Sequence, residues 1–309
     1  MLIGVAVPNR GPLASPSLLR ETILLAERTG YDSLWFADHV VIPEEETARH
    51  PSRWYDPWVA ASYACALTSR VKLCFGVIVL PYRSPLPVAK AVASLDQLSG
   101  GRVIAGVGSG YMKGEFEALG VSYADRGRRT DEYIHALKVL WTNPLASFEG
   151  EFTRFSRVIL DPRPLQQPHP PIWIGGASKA AIRRSVALGD GWQPPFSLGT
   201  PHSEVESWMG ELHREMAKQG RTRPLTVSFQ APRIRIAGVP AGTQPEYRDG
   251  QRVPMNGTPE EIIQDLRFYQ ELGADQVVVE FRHAPTPEGH LEAMEYFIRH
   301  IAPAVRESS

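Results

Sequence analysis

Short apolar runs alternate with stretches whose apolar positions recur every three or four residues, and this pattern repeats along the whole chain. Ile3–Val7 is apolar and β-branched, which predicts a strand. Leu18, Leu19, Thr22, Ile23 and Ala26 follow at helical spacing, and Gly30 is placed to end that helix. Ser33–Ala37 predicts a second strand. A helix is expected from Asp56, where Asp-Pro is an N-terminal signal. Val71–Leu80 predicts strand three, Leu86–Leu98 a helix closed by Gly100-Gly101, Arg102–Val107 strand four, and Thr130–Trp141 a periodic helix through Ile134, Leu137, Leu140 and Trp141.

The alternation then resumes. Ile172–Ile174 predicts strand five and Lys179–Leu188 its helix. Strand six begins at Trp192, and Ser203–Gln219 predicts the helix after it. Strand seven covers Leu225–Phe229 and extends toward Ile236. Thr258-Pro259-Glu260-Glu261 is a capping signature ahead of Ile262, Leu266, Tyr269 and Leu272 on one helix face. Gln276–Phe281 predicts strand eight and His290–Val305 a closing helix. Eight βα units in one order favour a closed (β/α)8 TIM barrel, a single domain over residues 1–309, over a doubly wound sheet. Thr142–Pro171, after the fourth helix, and Gly238–Pro254, after the seventh strand, read as insertions and as candidate lids.

The composition narrows the function. With 309 residues, 43% hydrophobic and 22% charged, a large core is available. A net charge of −1 gives no electrostatic footprint for nucleic acid or an anionic membrane. No apolar run approaches a membrane span, and the opening apolar run reads as a strand rather than a signal segment. Two cysteines, Cys65 and Cys74, in apolar surroundings read as core packing and fit a reduced, cytoplasmic setting.

In such a barrel, chemistry gathers at the C-terminal strand ends. Strand two ends in Trp35-Phe36-Ala37-Asp38-His39, where an apolar run stops abruptly at an acid and an imidazole. Adjacent residues of an extended strand point to opposite faces, so only one of the pair faces the mouth unless a bulge intervenes. The strand-five end, Gly175-Gly176-Ala177-Ser178, leads straight into a helix. Its glycines and helix N-terminus suit a phosphate, with Ser178 as cap or phosphate donor; an ordinary strand-to-helix turn is the alternative. Gly106-Val107-Gly108-Ser109-Gly110 lacks the register of a dinucleotide fingerprint and reads as room for a flat ring or phosphate near the axis. No metal-ligand spacing and no nucleophile elbow occur. Trp54, Tyr55, Trp58, Tyr82 and Tyr111 either line an apolar substrate pocket or pack the core. Arg126, Arg128 and Arg129 either pair with an acidic cofactor tail or form a solvated helix start.

Taken together, Trp35–His39, the Gly-x-Gly-x-Gly-Tyr of strand four, Glu115–Gly120, Arg126–Arg129 with Asp131, and Pro171–Gly176 resemble the luciferase-like monooxygenase family from Ile3 to about Pro303. The resemblance implies a (β/α)8 barrel, frequently a homodimer, that binds FMN or the deazaflavin coenzyme F420, and it is nearest to the deazaflavin-using actinobacterial branch. By position, it makes His39 the catalytic residue beside the ring and Asp38 its cofactor-contacting neighbour. Gly76 and Val77 fall at the bulge that props the ring, often through a non-proline cis peptide. Gly108, Gly110 and Tyr111 match the strand-four cofactor wall, and Gly175, Gly176, Ala177 and Ser178 match the phosphate loop. Where sugar-phosphate dehydrogenases of the family carry a glutamate, this chain has Tyr111. Where they carry a tryptophan after the histidine, it reads Val40-Val41-Ile42-Pro43, and their phosphate pocket is not evident. These departures argue against glucose 6-phosphate. The expected chemistry is hydride transfer between F420 and a small-molecule substrate with His39 as general acid or base. The alternatives are an FMN monooxygenase fed by a partner flavin reductase, and a non-catalytic flavin-binding relative.

Overall fold

The computed structural model describes residues 1–195 and 200–306. Eight parallel strands form its centre: β1 Leu2–Ala6, β2 Ser33–Phe36, β3 Lys72–Phe75, β4 Val103–Gly108, β5 Ile172–Gly175, β6 Gly191–Gln193, β7 Thr226–Arg233 and β8 Gln276–Glu280. They pair in ring order. Gly4 lies opposite Ser33, Leu73 opposite Val103, Ala105 opposite Ile172, and Leu2 opposite Gln276, which closes the barrel. The helices α1 Pro16–Thr29, α2 Pro57–Leu67, α3 Pro85–Ser99, α4 Arg126–Thr142, α5 Lys179–Leu188, α6 His202–Lys218, α7 Pro259–Glu271 and α8 Pro287–Tyr296 follow the strands in turn. The expected TIM barrel is the fold.

Local chemistry sets the helix ends. Ser15 accepts the Leu18 N–H at the start of α1, and Gly30, at φ +95°, ends it in the left-handed region. Thr258 and Glu261 form a complete capping box on α7, worth about 1 kcal/mol.

Strand alternation separates two cores. Ile3, Val5, Leu34, Phe36, Leu73 and Phe75 join the layer under the helices, while Trp35, Cys74, Trp173 and Val278 fill the barrel itself. The interior also holds a polar chain. Gln276 and Trp35 both donate to Ser33 Oγ (2.6 and 2.8 Å), Ser228 donates to Gln276, and Gln230 donates to Ser228. Glycines make the room: a Cβ on Gly106 would lie 1.7 Å from the Phe75 carbonyl. Cys74 is buried, Cys65 half-buried, and both are free thiols.

Several boundaries differ from expectation. Strand three stops at Phe75, and Ile78–Val79 resumes pairing with β4 beyond a cis Gly76–Val77 peptide. An unpredicted one-turn helix, Lys113–Ala118, follows β4. Arg235–Ile236 leaves the barrel and pairs with Asn256–Gly257. Strand six is only Gly191–Gln193, and any continuation through 196–199 lies outside the described residues. The closing helix is three pieces, with a wider π turn at Phe297–Ile301.

The lid expectation fails for both insertions, since no described residue of either borders the main cavity. The first joins a helix to the next strand, so it belongs to the N-terminal face. Its hairpin, Ala146–Glu149 with Arg154–Val158, packs beside α4, and its tail is tied to Asp96 of α3 and to the carbonyl of Val103 at the start of β4. The second is held down on α7 by Arg252, whose guanidinium grips Asp265 at 2.8 and 2.9 Å. Among the described residues no helix is long and apolar enough to cross a membrane.

Candidate active site

The C-terminal mouth opens into a cavity of about 640 Å³, and all eleven site residues expected from sequence line it: Asp38, His39, Gly76, Val77, Gly108, Gly110, Tyr111, Gly175, Gly176, Ala177 and Ser178. Their roles within it divide sharply.

His39 continues the inward-facing register of Trp35 and Ala37. Its Nδ1 lies 2.6 Å from Glu115 Oε2, and its Nε2 lies 3.2 Å from the Tyr111 hydroxyl. Glu115 comes from the unpredicted one-turn helix and is fully buried. It also accepts from Tyr82 Oη (2.8 Å) and from the backbone N–H groups of Val40 and Val41 (2.6 and 3.3 Å). Burial pushes its carboxyl up, but the His39 contact and the N–H donors outweigh that and hold it below the usual carboxylate range. A carboxylate can only accept, so His39 Nδ1 carries a proton and Nε2 is the exchangeable position. Trp54 packs edge-on to His39 at 4.6 Å. Its loop is tied to the strand ends by Asn9, which donates to the carbonyls of Ala37 and Tyr55.

Asp38 borders the cavity, but its oxygens are engaged by the Arg83 guanidinium (2.6 and 2.9 Å) and the Val79 N–H (2.9 Å). Burial raises its pKa against those partners. It anchors Arg83 and the resumed half of strand three. Of the candidate aromatics, Trp54 and Tyr111 line the cavity. Trp58 packs on Phe75, and Tyr82 serves Glu115. Of the three arginines opening α4, Arg126 reaches the cavity, stacked 3.9 Å from the Tyr123 ring centroid. Arg128 pairs with Asp125 and Glu151, and Arg129 bonds Tyr133.

The far wall is the glycine loop at the end of β5 and the start of α5. Ser178 caps α5 by accepting the Ala181 N–H at 3.2 Å, and Gly176 is left-handed at φ +117°. The loop is pinned by Trp192 Nε1 donating to the Gly176 carbonyl and by the Gly176 N–H donating to Gln193. Remaining first-turn N–H groups of α5 point out of the helix end toward the mouth. Val77 occupies space that glycines leave open: a Cβ on Gly175 would meet it at 2.3 Å, and one on Gly108 at 2.7 Å. Gln193 borders the cavity, and its fully buried Oε1 has no hydrogen-bond partner among the described residues. A broad cavity, a glycine-lined wall, an unmet buried acceptor and a helix-terminus cradle fit a flat ring with a phosphate tail. Among the described residues no cluster of His, Cys, Asp or Glu is arranged to hold a metal ion.

Glu115 lies in one of the segments that resemble the family, but its role shows only in the fold. Its signal was an acid in a short segment just after the strand-four glycines. Arg10, Arg233 and Arg282 also line the cavity and were not singled out.

This is a (β/α)8 barrel whose candidate site stands at the C-terminal mouth. The profile of the luciferase-like monooxygenase family matches residues 1–238, and the chain belongs to that family. It is 29% identical to an FMNH2-dependent dimethylsulfone monooxygenase of Pseudomonas putida, over 93% of this chain and 87% of that one. A monooxygenase from Streptomyces bottropensis superposes with a TM-score of 0.80 at 21% identity, covering 99% of this chain and all of that one. An F420-dependent secondary alcohol dehydrogenase superposes at 0.78 with 18% identity and 99% coverage of both chains. The two structural likenesses are likenesses of fold.

Proposed function

We propose that this oxidoreductase moves hydride between coenzyme F420 and a small organic substrate. The observation that carries this reading is His39. Its Nδ1 is locked on a buried carboxylate, and its Nε2 is turned into a cavity with a phosphate cradle at β5. Bound there, a deazaflavin supplies a carbon that accepts or releases hydride. The protein then has to hold and move the accompanying proton. Glu115 fixes His39 as the Nδ1–H tautomer, leaving Nε2 to take a proton from a substrate hydroxyl or return it to a carbonyl. Gly175–Ser178 with the start of α5 would hold the phosphate, with Arg126 nearby. Val77, Gly108 and Gly110 would wall the ring.

Reduced FMN with O2 is the second reading, favoured by the 29% identity to an FMNH2-dependent enzyme. It would require a reductase partner. Titrating the protein with F420, FMN and reduced FMN, followed by cofactor fluorescence, separates the two. The expected result is tight binding of F420 and weak binding of FMN. Tight binding of reduced FMN alone, with substrate-linked O2 uptake, would overturn it.

We also propose that the chain forms a homodimer through α2. That helix contains no charged residue, and its outward positions Val59, Ser62, Tyr63 and Ala66 form an exposed, uncharged stripe that is apolar except for the one serine. Light scattering should give twice the chain mass, and Val59→Lys should shift it toward the monomer.

A further inference from the structure

Arg10 follows the end of β1, Arg233 ends β7, and Arg282 follows β8. Barrel closure makes these three strand ends neighbours, in the order β7-β8-β1. All three border the cavity. One carboxylate, Glu280, sits among them, 2.9 Å from Arg10 and 3.5 Å from Arg282, and paired in register with Arg233. No carboxylate of the described residues comes within ion-pair distance of Arg233. Three guanidiniums therefore share one acid, and two positive charges go unmatched. Burial pushes Arg282 down to about 10; Glu280 works against that, while Arg10 and Arg233 add to it. Excess like charge in a partly desolvated cluster is costly until an anion joins it.

The position of the cluster says what the anion would be attached to. The Arg10 guanidinium lies 5.2 Å from the Trp54 ring centroid, and Trp54 packs against His39. Arg10 and Arg282 both act electrostatically on Tyr111, which is bonded to His39 Nε2. The phosphate cradle at β5 lies across the barrel, so a cofactor tail held there leaves this corner free. Guanidinium forks match the oxygens of carboxylate, sulfonate and phosphate.

We propose that Arg10, Arg233 and Arg282 form an anion subsite for the substrate, so that the reacting molecule is a small organic acid whose charged group anchors here while its reactive carbon faces His39. Naming the ligand a substrate rests on the function proposed above; the anion subsite itself does not.

The test reads binding rather than turnover. Acetate, methanesulfonate and inorganic phosphate are titrated into the protein at low ionic strength, with neutral acetamide as control, following tryptophan fluorescence, since Arg10 stacks on Trp54. At least one anion should bind saturably and acetamide should not. Arg282→Gln and Arg233→Gln should each weaken the anion about tenfold or more while F420 or FMN titrations stay unchanged. Glu280→Gln should tighten it several-fold, a gain that a merely structural role for the cluster would not produce. If Arg282→Gln does not fold, Arg233→Gln decides alone. Absent anion binding, or anion binding indifferent to these arginines, overturns the subsite. Loss of cofactor affinity with unchanged anion affinity also overturns it, assigning the cluster to the cofactor tail. Anion binding as expected in a protein that binds neither F420 nor FMN leaves the subsite standing and removes the proposed redox function instead.

Discussion

Two buried carboxylates stand at the same mouth and do opposite things. Glu115 is saturated: one imidazole, one phenol and two backbone N–H groups fill its oxygens. Glu280 is outnumbered, with Arg10 and Arg282 in contact and Arg233 beside it. Both titrate below the ordinary carboxylate range against the pull of burial, so a depressed pKa alone does not distinguish them. The inventory of partners does. A carboxylate whose neighbours are satisfied by it fixes a geometry. One that leaves neighbours unsatisfied marks a place where something else must arrive.

The most severe way to break the Glu115 side is to remove what it orients. His39→Ala should lower turnover about 10²–10⁴-fold while changing cofactor affinity little, measured by steady-state kinetics beside a binding titration. Unchanged turnover would take His39 out of the chemistry.

The Glu280 side carries an acid sensitivity of its own. His290, buried against Phe281 with Thr22 at 3.3 Å, is pushed down by burial to about 4, with the Phe281 backbone and Glu280 opposing. The unfolded chain takes up this proton near 6.5 and the folded one near 4. Unfolding therefore binds protons in that window, and stability falls as pH drops through it, by roughly 3 kcal/mol from this residue. Glu115 and Glu280, depressed in the folded state, supply stability that is present above the unfolded carboxylate value and lost as pH falls through their folded values. His290→Leu should make the limb between pH 6.5 and 4 shallower in a Tm-against-pH series, leaving the share of His283, which burial also pushes down to about 4, and the steeper loss below it. An unaltered limb would show that His290 is not its source.

Glu115→Gln preserves shape but replaces an acceptor-only group with one that can also donate. Turnover should fall by about 10²-fold or more, because the amide no longer enforces the Nδ1–H tautomer of His39. The pH profile should move with it, which a packing defect would not cause. The smallest effect belongs to Tyr111→Phe, which removes one part-buried hydroxyl contact to His39 worth about 1 kcal/mol. A fall in kcat of about five- to tenfold with intact cofactor binding is expected, and a larger loss would move Tyr111 into the proton path.

The strands and most helices were legible because each carries its own period. Ile3–Val7 is a continuous apolar run, Gln276–Phe281 carries one at Val277–Val279, and Ser15, Asp56 and Thr258 are local caps. His39 and Gly175–Ser178 were legible for the same reason, as abrupt changes at the ends of such runs. Glu115 was not. It serves a histidine 76 residues earlier in the chain, from a helix too short to show a period. Nor could the arginine cluster be read, since Arg10 and Glu280 are 270 residues apart and meet only when the last strand pairs with the first. Insertion length was misleading as well. The long stretch before β5 follows a helix and so lies away from the mouth, whereas Gly238–Pro254 follows a strand but is folded back onto α7 by the Arg252–Asp265 pair, a contact that no local pattern shows.

Val77 projects into space left by Gly108 and Gly175 on the two neighbouring strands. The three positions form one steric unit, so they are not free to drift separately. A methyl group gained at 108 or 175 has to be matched by atoms lost at 77. Among descendants of this chain, substitutions there should arrive as linked sets, because a methyl group added at 108 or 175 with Val77 kept costs about 1–3 kcal/mol of overpacking.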